Sequence, residues 1–212
     1  MELISDKKLG TPFKTIKLTA LQTKVNFGCF NKNVSGWIGV DYAWKHIIVS
    51  KCPLLSWLLW KTRLLNYEQH QWHKKNLFKS VKYGDARKKL RFSSNSVDYI
   101  YSSHMIEHLF YDEAVWFFRE SFRILRKNGI MRICLPAWDQ AKSQDNFDNS
   151  LFAKNKKQLR HSHKWLWTFD SLKLVLSNIG FKNISQHKFQ AGNFPELREL
   201  ETRTGLIIQA QK

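Results

Sequence analysis

The stretch Lys24 to Asp41, KVNFGCFNKNVSGWIGVD, constrains the fold of this chain more than any other. Val25 and Phe27 alternate with Asn26 and lead into Gly28, while Trp37, Ile38 and Val40 lead into Asp41. The pattern reads as two short strands, each ending in a residue suited to a ligand. Gly28 lets backbone approach a ligand closely, and Asp41 can accept hydrogen bonds from a pair of ribose hydroxyls. In open α/β sheets the ligand crevice lies beyond the carboxyl ends of the strands. Only Cys29 to Ser35 separate the two strands, too few for a crossover helix. The GxGxxG fingerprint is absent, which disfavours a diphosphate ligand.

Acid placement supports the same crevice. Between Asp6 and Glu68 there are ten Lys or Arg and a single acid, Asp41, and between Glu68 and Asp98 the only acid is Asp85. Both follow strand-like runs. The competing reading is that each is an Asp that caps its own loop.

Alternating strand and helix patterns predict an α/β fold with a mostly parallel sheet. After the first two strands, Pro53 to Asn76 reads as one long helix beginning at its proline. Its Leu- and Trp-rich first half suits packing on the sheet, a pocket wall, or an interfacial helix on a membrane surface. Further strands are expected at Ser80–Gly84, Val97–Ser102, Ile130–Leu135, Phe181–Phe189 and Thr204–Gln211. Helices are expected over Asp112–Lys127, stopped by Asn128-Gly129, and from a Thr168 cap to Ile179, stopped by Gly180. Residues 1–23 read as an N-terminal extension and 24–212 as a single domain. Within that domain lie a helical insertion near 53–76 and a long, lid-like loop near 138–166.

The net charge of +18 permits weak contact with anionic lipid or RNA, although the lysines are dispersed. Three scattered cysteines, Cys29, Cys52 and Cys134, form no CxxC pair and suit a reducing cytoplasm. Neither a signal-peptide h-region nor a run long enough to span a membrane is present. Oligomeric state is not legible.

With these motifs in view, the chain resembles the class I S-adenosylmethionine-dependent methyltransferases, in their small bacterial type 11-like branch. The resemblance rests on KVNFGCFNKNVSGWIGVD, GDARKKLRFSSNSVDYIYSSHMIEHL, FRESFRILRKNGIMRICLP, FDSLKLVLSNIGF and GLIIQAQK, which stand in the family's order and cover about residues 24 to 212. It implies a Rossmann-like, seven-stranded sheet, mostly parallel, with the last strand antiparallel. It implies S-adenosylmethionine as cofactor, held by the backbone of Gly28 and Cys29, by Asp41 with Tyr42 beside it, by Asp85 and Ala86 at the adenine edge, and by Ser103 or His104. The cofactor carries no phosphate and is a sulfonium cation, so isolated acids suit it. The branch is associated with glycan pathways, which implies a small-molecule or glycan acceptor, a sugar or lipid-linked sugar first and RNA second. Where the family has a second turn glycine, this chain has Phe30, which either crowds the crevice or points away from it. The first case would give a cofactor-binding protein without turnover.

The residues for proton transfer are His104, Glu107 and His108, in HMIEH just after a strand. The HxxEH spacing also matches a class of zinc proteases, but its place directly after a buried strand speaks against that. No metal is assigned, although His104, Glu107, His108 and one of His161 or His163 could make a site. The plain alternative is a helix start, with Glu107 favoured by the helix dipole. His161, His163 and Trp165 are the expected acceptor contacts.

Overall fold

The computed structural model describes residues 22–137 and 162–212. The chain order of strands is β1 (Lys24–Phe27), β2 (Trp37–Asp41), β3 (Lys82–Tyr83), β4 (Val97–Ser103), β5 (Leu125–Leu135), β6 (Lys182–His187) and β7 (Leu206–Gln211). They form one sheet in the order β3-β2-β1-β4-β5-β7-β6. The β1 strand runs parallel to both β2 and β4, and β4 runs parallel to β5. The β7 strand is antiparallel to both β5 and β6. This is the α/β, mostly parallel sheet that the sequence predicts, with the last strand reversed.

Both faces of the sheet are covered, as a central parallel sheet requires. On one face Val25, Phe27, Ile100 and Met131 join Phe117, Phe118 and Ile124 of α4 (Tyr111–Ile124) and Leu172 and Leu176 of α5 (Phe169–Ile179) in the main core. On the other, Tyr101 packs with Phe194 and with Leu197 and Leu200 of α6 (Leu197–Leu200). Thr168 caps α5 by accepting from Ser171 N–H, and Gly180 ends it with φ +114°, as expected.

Four expectations need correction. The single helix over 53–76 is broken, and the helical insertion begins earlier: it comprises α1 (Trp44–Val49), α2 (Pro53–Lys61) and α3 (Tyr67–Lys74). The break follows from local chemistry. The Thr62 hydroxyl donates back to the carbonyls of Leu58 and Leu59, Arg63 takes φ +59°, and Asn66 opens α3 with a reciprocal capping box to Gln69. Second, the 112–127 helix stops at Ile124, and Leu125 already belongs to β5. Third, Asn128-Gly129 is therefore a bulge within a strand rather than a helix stop. Val97 pairs with Leu125 but Tyr99 pairs with Ile130, so the excess residues loop out. A Cβ on Gly129 would stand 2.9 Å from the Arg126 carbonyl and 3.1 Å from that of Asp98, so only glycine fits there. Fourth, β3 shrinks from 80–84 to two residues.

Only 22–23 of the expected extension and 162–166 of the lid-like loop lie within the described residues. Among the described residues no helix is long and apolar enough to cross a membrane.

Arg132 of β5 and Glu201 are both fully buried and form an ion pair. Arg132 Nη1 also donates to Gln209 Oε1 at 2.6 Å, and Gln190 N–H donates to Glu201 Oε2 at 2.6 Å. This network locks β5, β7 and the 190–201 loop together on the α6 face.

Candidate active site at the carboxyl ends of the central strands

The parallel register brings the expected cofactor residues to one edge. Gly28 follows β1, Asp41 ends β2, Asp85 and Ala86 follow β3, and Ser103 and His104 close β4. Gly28 has φ +70°, and its amide donates to the Val40 carbonyl at 2.9 Å. What approaches it most closely is Met105, because a Cβ there would stand 2.6 Å from the Met105 side chain. The turn after β1 is thus held against the segment after β4. Cys29 is buried beside Gly39, and burial pushes its thiol up to about 12, with the Asp41 charge adding to the effect. Cys29 therefore stays a thiol, and only its backbone is suited to a cofactor contact.

Asp41 works within its own loop. Oδ2 accepts from Phe30 N–H at 2.7 Å and Oδ1 from Ala43 N–H at 2.8 Å. Burial raises its pKa, and those amides oppose the shift. Each oxygen retains a second lone pair, so the residue fits a pair of ribose hydroxyls while holding the turn. Asp85 is buried and takes a bidentate contact from Arg87, with Nε to Oδ1 at 2.9 Å and Nη2 to Oδ2 at 3.0 Å. Burial alone would raise the Asp85 pKa, but the Arg87 hydrogen bonds and charge hold it below the usual value. The guanidinium in turn lies 5.0 Å from the Tyr42 ring centroid. Sequence reasoning missed Arg87, although an Arg two residues after a loop Asp is the signal for such a fork.

Phe30 sits at φ +48° with its ring turned onto aromatic side chains. It meets Trp72 at 5.3 Å, Phe78 at 5.0 Å and His46 at 6.1 Å, all edge-to-face. His46 Nδ1 lies 3.2 Å from His73 Nε2. Burial, with the neighbouring imidazoles, pushes His73 down to about 4. Phe30 therefore roofs a small cluster beneath α1 and α3. Phe30→Gly loses ring contacts but removes a left-handed strain of about 1–2 kcal/mol. Because the ring is 39% exposed, the net expectation is a stability loss of about 1–2 kcal/mol. Affinity for S-adenosylhomocysteine should not tighten. Calorimetry and a thermal melt check both, and a tighter complex at an unchanged melting point would place the ring in the crevice.

The residues expected at the acceptor side include the segment after β4. Ile106–His108 forms one 3₁₀ turn rather than an α-helix start. Glu107 is 2% exposed, and neither carboxylate oxygen has a hydrogen-bond partner among the described residues. Burial pushes its carboxyl up to about 8. His104 Nδ1 lies 3.5 Å from Glu107 Oε1, and burial, aided by Arg203, pushes His104 down to about 4. His104 is therefore neutral near pH 7.

Two backbone amides of the 162–167 segment, Lys164 N–H at 2.7 Å and Trp165 N–H at 3.4 Å, point to the Glu107 carbonyl. They bring His163 to His108, with ring centroids 4.9 Å apart. Trp165, 42% exposed, packs on Tyr111 at 5.1 Å. Of the expected acceptor contacts, His163 and Trp165 thus lie beside the Glu107 turn, and His161 lies outside the described residues. Tyr111 was not anticipated, because its place at the start of α4 looks like ordinary helix sequence.

Residues 61–133 match the family described as methyltransferase domain. The match spans β3 to β5 and leaves the Phe30 turn outside. No curated protein matches the sequence. Among solved structures, a SAM-dependent methyltransferase from Archaeoglobus fulgidus is similar at 15% identity, with 90% of this chain and 86% of that chain covered and a TM-score of 0.51. A SAM-dependent methyltransferase from Thermotoga maritima is similar at 17% identity, with 92% and 84% covered and a TM-score of 0.49. Phosphoethanolamine N-methyltransferase 2 of Haemonchus contortus, in complex with S-adenosyl-L-methionine, is similar at 19% identity, with 84% and 36% covered and a TM-score of 0.48. A methyltransferase-domain match from β3 to β5 thus lies on a sheet whose fold is similar to that of the Archaeoglobus fulgidus SAM-dependent methyltransferase.

Proposed function

We propose that this protein methylates a hydroxyl of a sugar, in a lipid-linked glycan. The observation that carries the reading is the exposed Trp165–Tyr111 pair, tied through the Glu107 carbonyl to the turn that holds His104 and Glu107. Exposed aromatic rings offer an apolar face to a pyranose ring, and the buried groups beside them suit proton transfer. S-adenosylmethionine, when bound, would supply an electrophilic methyl group to the acceptor oxygen and leave as the neutral thioether S-adenosylhomocysteine. Asp41 orients the ribose, and Gly28 and Cys29 offer backbone. Ala86 stands at the adenine edge, and Asp85 acts there through Arg87. His104, neutral and with Nε2 buried without a partner among the described residues, accepts the hydroxyl proton.

The lipid part of the reading is supported by α1 and α2. Ile48, Leu54, Trp57 and Leu58 are exposed, and Leu64 beyond α2 is 72% exposed. Lys61 lies 5.8 Å from the Trp57 ring centroid. Tryptophan, leucine and lysine on one surface suit an anionic bilayer interface. Three free thiols support a reducing, cytoplasmic setting.

The test is transfer of a labelled methyl group to lipid-linked glycan in anionic vesicles, to free glycan and to RNA. Label is expected in the lipid-linked fraction, and the His104→Ala rate should fall about 10²–10⁴-fold while S-adenosylhomocysteine still binds. Label in RNA alone would replace the acceptor. Cofactor binding without transfer to any pool would favour the binding-protein reading.

A further inference from the structure

Three side chains from two distant stretches of chain converge beside the end of β4. One carboxylate oxygen of Glu107 and one ring nitrogen each of His108 and His163 all lie within 4.8 Å of one another. Ligands of a shared tetrahedral ion, 2.0–2.2 Å from it, stand roughly 3.3–3.6 Å apart. Side-chain adjustment of little more than an ångström would close the set.

Two members of the cluster, Glu107 and His163, also carry buried atoms without a hydrogen-bond partner among the described residues. Glu107 is 2% exposed, with both oxygens unpartnered among the described residues, and His163 is 7% exposed with Nδ1 in the same condition. A carboxylate buried in this way is costly unless something positive reaches it. His104 does not supply that partner, because its 3.5 Å separation from Glu107 is too long for a hydrogen bond. His108 Nδ1 stands 3.2 Å from the Ser162 carbonyl. A carbonyl only accepts, so Nδ1 carries the proton in this contact. That arrangement orients metal-binding histidines. The Lys164 amide on the Glu107 carbonyl fixes the approach of the two stretches.

We propose that Glu107, His108 and His163 hold a divalent transition-metal ion of the zinc class. Two imidazoles and one carboxylate, with no thiolate, suit Zn²⁺, Co²⁺ or Mn²⁺. Three protein ligands leave a coordination position open to water or to an acceptor hydroxyl, as in catalytic rather than structural sites. The site stands independently of which acceptor is methylated.

The test uses the untagged full chain after chelation, titrated with Zn²⁺ by calorimetry and with Co²⁺ by visible absorption. One equivalent should bind, with Co²⁺ bands of four- or five-coordinate intensity. Glu107→Gln and His163→Ala should each weaken Zn²⁺ binding at least about tenfold, while His46→Ala, in the separate His46–His73 pair, should not. S-adenosylhomocysteine binding reports folding in each variant, and His108→Asn replaces any variant that fails that check. Absence of stoichiometric metal overturns the proposal. So does binding lost in His46→Ala but retained in the cluster variants.

Discussion

Glu201→Ala should lower stability by about 3–5 kcal/mol, because it strands a buried guanidinium. For a domain of this size that is on the order of 6–20 °C in Tm. Arg132 and Glu201 are both 0% exposed, so solvent cannot replace the lost carboxylate. Arg132 Nη2 already has no partner among the described residues, and Gln190 N–H would lose its acceptor as well. The double replacement Arg132→Met with Glu201→Leu should recover much of the loss, since removing both charges removes the stranded one. A thermal melt decides the matter. If Glu201→Ala melts within about 2 °C of the parent, the pair is not a structural lock.

Asp41→Ala should weaken S-adenosylhomocysteine binding about tenfold to a hundredfold, the equivalent of about 1.5–3 kcal/mol for charge-assisted contacts. The two amides that Asp41 holds, from Phe30 and Ala43, would lose their acceptors too. Part of the effect therefore arrives through a loosened turn. Asp41→Asn separates the parts. Its amide oxygen can hold one of those N–H groups, so it should melt closer to the parent while still binding the cofactor weakly. Calorimetry paired with a melt reads both quantities. A folded Asp41→Ala protein with unchanged affinity would remove Asp41 from the cofactor site.

The strands β1, β2 and β4 were legible because they are largely buried and end in chemically distinctive residues. Asp41 and Asp85 stood out against a basic background, and both lie where strand endings predict. The competing reading, an Asp that caps its own loop, is met at both through the Ala43 and Arg87 amides, while the contacts from Phe30 N–H and the Arg87 fork come from turn geometry that carries no periodic signal. The break between α2 and α3 was masked by continuous helical propensity. Only the Asn66–Gln69 spacing marks it, within a polar run. The bulge at Asn128-Gly129 imitates a helix stop because a glycine-bearing turn serves either purpose. The sequence set His108 with one of His161 or His163 as possible partners in a site, and the fold brings His163, 55 positions on, against it.

The Glu107 carbonyl receives amides from the segment that carries His163 and Trp165. Two hydrogen bonds thus join the surface expected to greet the acceptor to the turn expected to manage its proton. Substitutions on the two sides of that joint are therefore not energetically independent. Changes at Trp165 will be felt in kcat as well as KM, and a double-mutant cycle between Trp165 and His104 will depart from additivity. An acceptor that seats against the rings can in this way tighten the turn beneath it, so that turnover answers to occupancy of the neighbouring surface.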